Sequence, residues 1–119
     1  MAPVKALPET TNPDSEPVSG AEANKRRPAV VVSNDGANAS ASQLGRGVVT
    51  VVPVTSSIER IYPFQVLLPA VVTGLRHDSK AQAEQVHSVA VQRLGPRIGT
   101  VPPGIMEAVD EALRLHLAL

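Results

Sequence analysis

The sequence predicts a mainly β domain, a small curled antiparallel barrel, closed off by a C-terminal helix. Three observations carry this. Short β-branched runs recur along residues 28–90, each of strand length and bounded by Pro, Gly or Asn. The connections are mostly short enough for hairpins. The last segment switches to apolar residues spaced three and four apart.

The elements follow in order. Residues 1–19 hold Pro3, Pro8, Pro13 and Pro17 among small polar and acidic residues. Proline removes backbone donors and the stretch has little to bury. Residues 1–15 therefore read as an atypical, disordered N-terminus, with Ala2–Leu7 at most a short edge strand. Pro28–Ser33 is the first firm strand, and proline is tolerated at its start. Asn34–Gly47, rich in Asn, Gly, Ala and Ser, reads as a mobile loop. Val48–Thr55 is the second strand, with Pro53 suggesting a bulge or an edge position. Phe64–Leu68 is the third. Lys80–Ala83 and Gln85–Ala90 are two shorter strands with a kink between them. From Pro102-Pro103-Gly104 onward, Ile105, Val109, Leu113 (with Ala112) and Leu117 mark one buried helix face, and proline costs little near a helix start.

Composition excludes several classes. The chain of 119 residues has no cysteine, so disulfides, thiol nucleophiles and Cys-based zinc sites are out. Tyr62 and Phe64 are the whole aromatic complement, too few for a platform of stacked bases. No apolar run is long enough to span a bilayer, and Met1–Ser15 lacks the basic-then-apolar order of a signal peptide. A cytoplasmic protein without membrane attachment is expected. Formal charge is zero, yet residues 21–102 carry nine Lys/Arg against five Asp/Glu while both ends are acidic. A basic middle suits a polyanion, although a solvated surface explains it equally well.

Three stretches can carry chemistry. They are Lys25-Arg26-Arg27-Pro28 before the first strand, Pro53-Val-Thr55-Ser56-Ser57 at the end of the second, and Asp78-Ser79 followed by Gln85-Val-His87-Ser88. Arginine offers a flat fork of donors that matches a phosphate and stays charged at any working pH. A threonine hydroxyl at a strand end, with Ser79, Gln85 and Ser88, adds neutral hydrogen-bonding groups. Such a set suits a phosphodiester and the charge that builds on it in a transition state. On the residues alone, plain surface charge remains the better account of the basic triplet. Among the histidines, His77 falls in a solvated turn, His116 on the terminal helix in a structural role, and His87 within the third stretch.

An ordered series of short matches alters that balance. Glu16-Pro-Val-Ser-Gly-Ala-Glu22, Arg27-Pro-Ala-Val-Val-Val-Ser-Asn-Asp35, Val51-Val-Pro-Val-Thr-Ser56, Tyr62-Pro-Phe64, Leu67-Leu-Pro69, Thr73-Gly-Leu75, Asp78-Ser79, Gln85-Val-His-Ser88 and Val109-Asp-Glu-Ala-Leu113 follow the order and spacing of the MazF/PemK toxins. The chain resembles that family over residues 16–119. The resemblance implies an SH3-like β-barrel, shared with CcdB-type toxins, a homodimer, and a sequence-selective, metal-independent endoribonuclease of a type II toxin–antitoxin system. It implies no cofactor, a single-stranded RNA substrate and a MazE-like antitoxin. Arg27 and Thr55 match the family's active-site arginine and threonine. Ser79 and Gln85 match RNA-contacting positions, and Lys25, Arg26, Ser56 and His87 fall where the RNA groove would run. His87 stands where the family often has Arg. Histidine ordinarily titrates near pH 6.5, which predicts weaker or more pH-sensitive RNA binding.

Residues 1–15 lack the family's opening strand, of the type Arg-Gly-Asp/Glu-Ile/Val-Trp/Tyr. Its loss predicts an exposed sheet edge and a gap in the core. Two other functions stay open: a catalytically impaired member that mainly binds antitoxin, and a CcdB-like, gyrase-directed toxin that needs no Arg27/Thr55 pair.

Overall fold

A computed structural model describes residues 2–8 and 26–119. Among them seven strands form one sheet. They are β1 (Ala2–Pro8), β2 (Arg26–Val31), β3 (Val48–Thr55), β4 (Gln65–Leu68), β5 (Ser79–Gln82), β6 (His87–Ala90) and β7 (Arg97–Val101). The helices are α1 (Asp35–Leu44), α2 (Ala70–Thr73) and α3 (Pro103–Leu117). The sheet runs β4-β5-β3-β2-β1-β7, with β6 paired to β3 beside β5. It is a half-barrel with helical cover, the mainly β fold with a C-terminal helix that the sequence predicts.

β3 is the spine. It pairs with β2 on one side. On the other it pairs first with β6, through Val48–Val51, and then with β5, through Val54 and Thr55. Pro53 sits opposite Ala29 inside the sheet, in the short gap between the β6 and β5 pairings. A missing N–H is tolerated where the neighbour changes, so neither an edge position nor a bulge is needed there.

The strand's near-continuous apolar run has a packing cause. Val52 and Val54 face a core shared with Val4, Val30, Leu68, Val101 and Val109. Val49 and Val51 face a second cluster with Leu7, Ala29, Val31, Ala41 and Val89. A strand buried on both faces does not alternate.

The second cluster exists because Asn34–Gly47 is not the expected loop. Residues 35–44 form α1, which lays Ala41 against β3. Its first turn is tied down locally. The Asn38 amide Nδ2 donates to the Ser33 carbonyl at 2.9 Å, the Ser33 hydroxyl donates to Asn38 Oδ1, and the Thr50 N–H donates to Ser33 Oγ at 3.1 Å.

The N-terminal expectation also changes. Ala2–Pro8 is neither disordered nor an edge. β1 lies between β2 and β7, in register as Val4↔Val30 and Val4↔Gly99, and buries Ala2, Val4 and Ala6. Alternate small apolar residues suffice for an inward face, so these residues fill the place the sequence left vacant. Residues 9–15 lie outside the described residues.

Gln85 ends a 3-10 turn, Ala83–Gln85, which is the kink between β5 and β6. β7 and α2 were not anticipated. Gly99 of β7 has no room for a side chain, since a Cβ there would stand 2.8 Å from the Thr73 carbonyl oxygen. That close approach seats the end of α2 on β7. α3 buries Val109 and Ala112, with Ile105 and Leu113 partly covered. Leu117 stays 49% exposed, so the last turn projects beyond the sheet and Leu117 lacks the buried place expected of it, while His116 on the same turn is exposed. Among the described residues no helix is long and apolar enough to cross a membrane.

Candidate active site

Arg27 and Ala29 lie on the same face of β2, because side chains alternate along a strand. Ala29 is buried and Arg27, still opposite Leu7 of β1 but beyond the pairing with β3, is exposed. The β2–β3 ladder ends at Ala29↔Pro53. Arg27 and Thr55 each lie two residues beyond that last pair, on their own strands. Past the last pair the strand ends enclose an open cleft of about 1000 Å³. Its lining includes Arg27 and Pro28 from β2, Val54, Thr55 and Ser56 from the end of β3, Ser79 from the start of β5, and Ala6 and Ile98 from β1 and β7.

Two hydroxyls in the cleft are already oriented. Thr55 Oγ1 accepts from the Ser57 N–H at 3.2 Å. That acceptance leaves the Thr55 hydroxyl proton available to donate into the cleft. Ser79 is buried and its hydroxyl donates to the His77 carbonyl at 2.9 Å, which leaves the oxygen's lone pairs as acceptors.

The cleft thus gathers four of the expected residues: Arg27, Thr55, Ser56 and Ser79. Arg26 opens β2 opposite Pro8. Lys25 lies outside the described residues, as does the loop 17–25. Gln85 and His87 do not line the cleft. Both are exposed, and His87 pairs with Val51, four residues and so roughly 13 Å along β3 from Thr55. The His87 ring donates from Nδ1 to the Gln85 carbonyl at 2.8 Å, so Nε2 is the atom that remains to meet a ligand.

Arg76 and His77 line the cleft as well. The sequence places His77 in a solvated turn and gives Arg76 no role. The available signal was a basic pair immediately before Asp78-Ser79. The loop that carries them is set by α2, which ends at Gly74 in the left-handed conformation at φ 78°, where a residue without Cβ is unstrained. Asp78 Oδ1 then accepts from the Ala70 N–H at 2.8 Å, closing the loop on its own helix.

The architecture is a half-barrel in which two neighbouring strands bring an arginine and a threonine to one open cleft. Residues 12–117 match the family model described as PemK-like, MazF-like toxin of type II toxin–antitoxin system, and the chain belongs to that family. It is 61% identical over 106 residues to endoribonuclease MazF9 of Mycobacterium tuberculosis, covering 89% of this chain and 90% of the relative. The fold is similar to that of the M. tuberculosis toxin MazF-mt6, with a TM-score of 0.73 at 21% identity over 98% of this chain and 97% of that one. It is also similar to MazF in a MazE–MazF crystal structure from Deinococcus radiodurans, with a TM-score of 0.70 at 24% identity over 98% and 92%.

Proposed function

We propose that this chain is a toxin endoribonuclease that cleaves single-stranded RNA, with Arg27 and Thr55 as its catalytic residues. The observation that carries the reading is their shared cleft at the ends of neighbouring strands, in a chain 61% identical to a named endoribonuclease.

RNA supplies the nucleophile, the 2′-hydroxyl beside the scissile phosphate. Its oxygen attacks phosphorus in line, the bond from phosphorus to the 5′-oxygen breaks, and the products are a 2′,3′-cyclic phosphate and a 5′-hydroxyl. The 2′-hydroxyl proton is lost and the leaving 5′-oxygen gains one. Negative charge grows on the phosphate oxygens along this path. Arg27 neutralises it with a guanidinium that stays protonated, and Thr55 donates the hydroxyl proton left available by its Ser57 contact. Fixed donors aimed at developing charge are worth most in a cleft that needs no rearrangement. With that charge met by protein groups, the step needs no metal.

Ser56 and Ser79 bind the same strand of RNA in the cleft. Lys25, Arg26, Gln85 and His87 extend the track beyond it. A MazE-like antitoxin with an extended acidic segment competes for this track, since a groove built for a polyanion accepts such a chain. A homodimer is part of the reading, supported by apolar surface at Val71, Leu115 and Leu119 that a second copy would cover. Acting on RNA, the protein works in the cytoplasm.

The test is incubation of the purified chain with a long, weakly structured RNA in EDTA, followed by mapping of the ends. Cuts at defined sites with 5′-hydroxyl ends are expected. No cuts together with antitoxin binding would mean an impaired toxin, and no cuts with inhibition of gyrase would mean a CcdB-like one.

A further inference from the structure

Lys80 stands in the middle of β5 with 8% of its surface exposed. A buried ammonium is costly to desolvate, and a strand position of this kind would be served more cheaply by valine. Sheet stability does not account for lysine here, so its contacts must. Lys80 Nζ donates to the Arg60 carbonyl at 2.7 Å and lies 6.0 Å from the centre of the Tyr62 ring, within the range of cation–π attraction. Arg60 and Tyr62 belong to the connection 56–64 between β3 and β4.

That connection is fastened at three places. Lys80 holds its middle. Tyr62 stacks on Phe64 at 5.4 Å, and its N–H donates to Gln65 Oε1 at 3.1 Å. Gln65 is itself held by Glu84, at 2.6 Å from Nε2 to Oε2. The root of the connection is the Ser57 N–H on Thr55 Oγ1. Thr55 and Lys80 are direct partners in the β3–β5 ladder, and Ser79, next to Lys80, faces the cleft. One strand thus presents a cleft residue and the anchor of the adjoining loop in consecutive positions.

We infer that Lys80 is a positioning residue for RNA cleavage: its buried ammonium tethers the 56–64 connection to β5, and the tether keeps the Ser57 N–H on Thr55, so that the threonine's proton points at substrate. The inference rests on the endoribonuclease reading and adds a residue that touches no RNA. Its signature is dependence on Thr55. Methionine keeps the stem of Lys80 and removes the donor, so Lys80→Met leaves a folded sheet with an untethered loop.

The experiment measures kcat, KM and thermal melting for wild type, Lys80→Met, Lys80→Arg, Thr55→Val and the Lys80→Met/Thr55→Val double variant on one RNA that the wild type cuts. Removing a fixed donor costs about 10²–10³ in rate, and freeing it to rotate forfeits part of that, about 10-fold in kcat. Lys80→Met is expected to lose that much with KM nearly unchanged, Lys80→Arg to regain part of it, and Thr55→Val to cost less in the Lys80→Met background than alone. Should Lys80→Met fail to fold, Tyr62→Leu removes the ring beside the ammonium from an exposed position and should lower kcat in the same direction. A folded Lys80→Met with wild-type kcat, strictly additive costs, or an unchanged kcat in Tyr62→Leu when Lys80→Met does not fold would overturn the inference while leaving the ribonuclease intact. A wild type that cuts no RNA would instead remove the reading beneath it.

Discussion

Replacing Val4 with alanine tests whether the first residues belong to the sheet. Val4 is fully buried, in a cluster with Val30, Val52 and Val101. The change deletes two methyl-sized groups, worth about 1.6 kcal/mol in transfer energy. The space left behind adds about 1 kcal/mol where the neighbours cannot close in, and here strands flank Val4 on both sides. A loss of about 2–3 kcal/mol is expected. For a chain of 119 residues the unfolding entropy is about 0.25 kcal/mol/K, so Tm should fall by about 8–12 °C. The assay is thermal melting by circular dichroism at matched protein concentration, because a dimer's Tm depends on concentration. Lys5→Ala, at a half-buried neighbouring position, serves as the control and should move Tm by no more than about 2 °C. If Val4→Ala also melts within 2 °C of wild type, residues 2–8 are not part of the core and the assignment of β1 is wrong.

Further expectations follow from the cleft and its supports. Arg27→Ala should lower cleavage at saturating RNA by about 10²–10³, and activity within a few-fold of wild type would reject Arg27 as catalytic. Thr55→Val, similar in shape but without the donor, should lower kcat more than it raises KM, as steady-state kinetics on one RNA will show. Gly99→Ala forces a methyl to within 2.8 Å of the Thr73 carbonyl oxygen, so denaturant unfolding should show a loss of about 1–3 kcal/mol. His87→Arg, at an exposed site, should tighten RNA binding at pH 7.5. Equal affinities there by fluorescence anisotropy would remove His87 from the binding track.

The elements legible in the sequence are those whose pattern is local. β3 could be read from its valines, α3 from its spacing, and the kink before β6 from the break in the apolar run. α1 was not, because its burial rests chiefly on Ala41 and a helix of Gly, Ala, Ser and Asn looks like a loop by composition. β1 and β7 were not, because each is held by the other across most of the chain, and short runs of Ala, Val, Gly and Thr specify no partner. The site divides in the same way. Arg27, Thr55 and Ser79 stand at strand ends that the sequence marks. Ala6, Ile98 and the Arg76–His77 pair join them only through distant pairing and the turn of α2. Lys80 could not be read at all, since nothing in a sequence tells a buried lysine from a solvated one.

The position of β1 also bears on how the chain is made. Its two neighbours in the sheet are β2, next in sequence, and β7, near the other end. A nascent chain can pair the first two early, but β7 leaves the ribosome only after residue 101. Such long-range closure is slow. Ala6 and Ile98, from strands β1 and β7, both line the cleft that holds Arg27 and Thr55. The cleft therefore takes its final shape only once β7 has closed on β1.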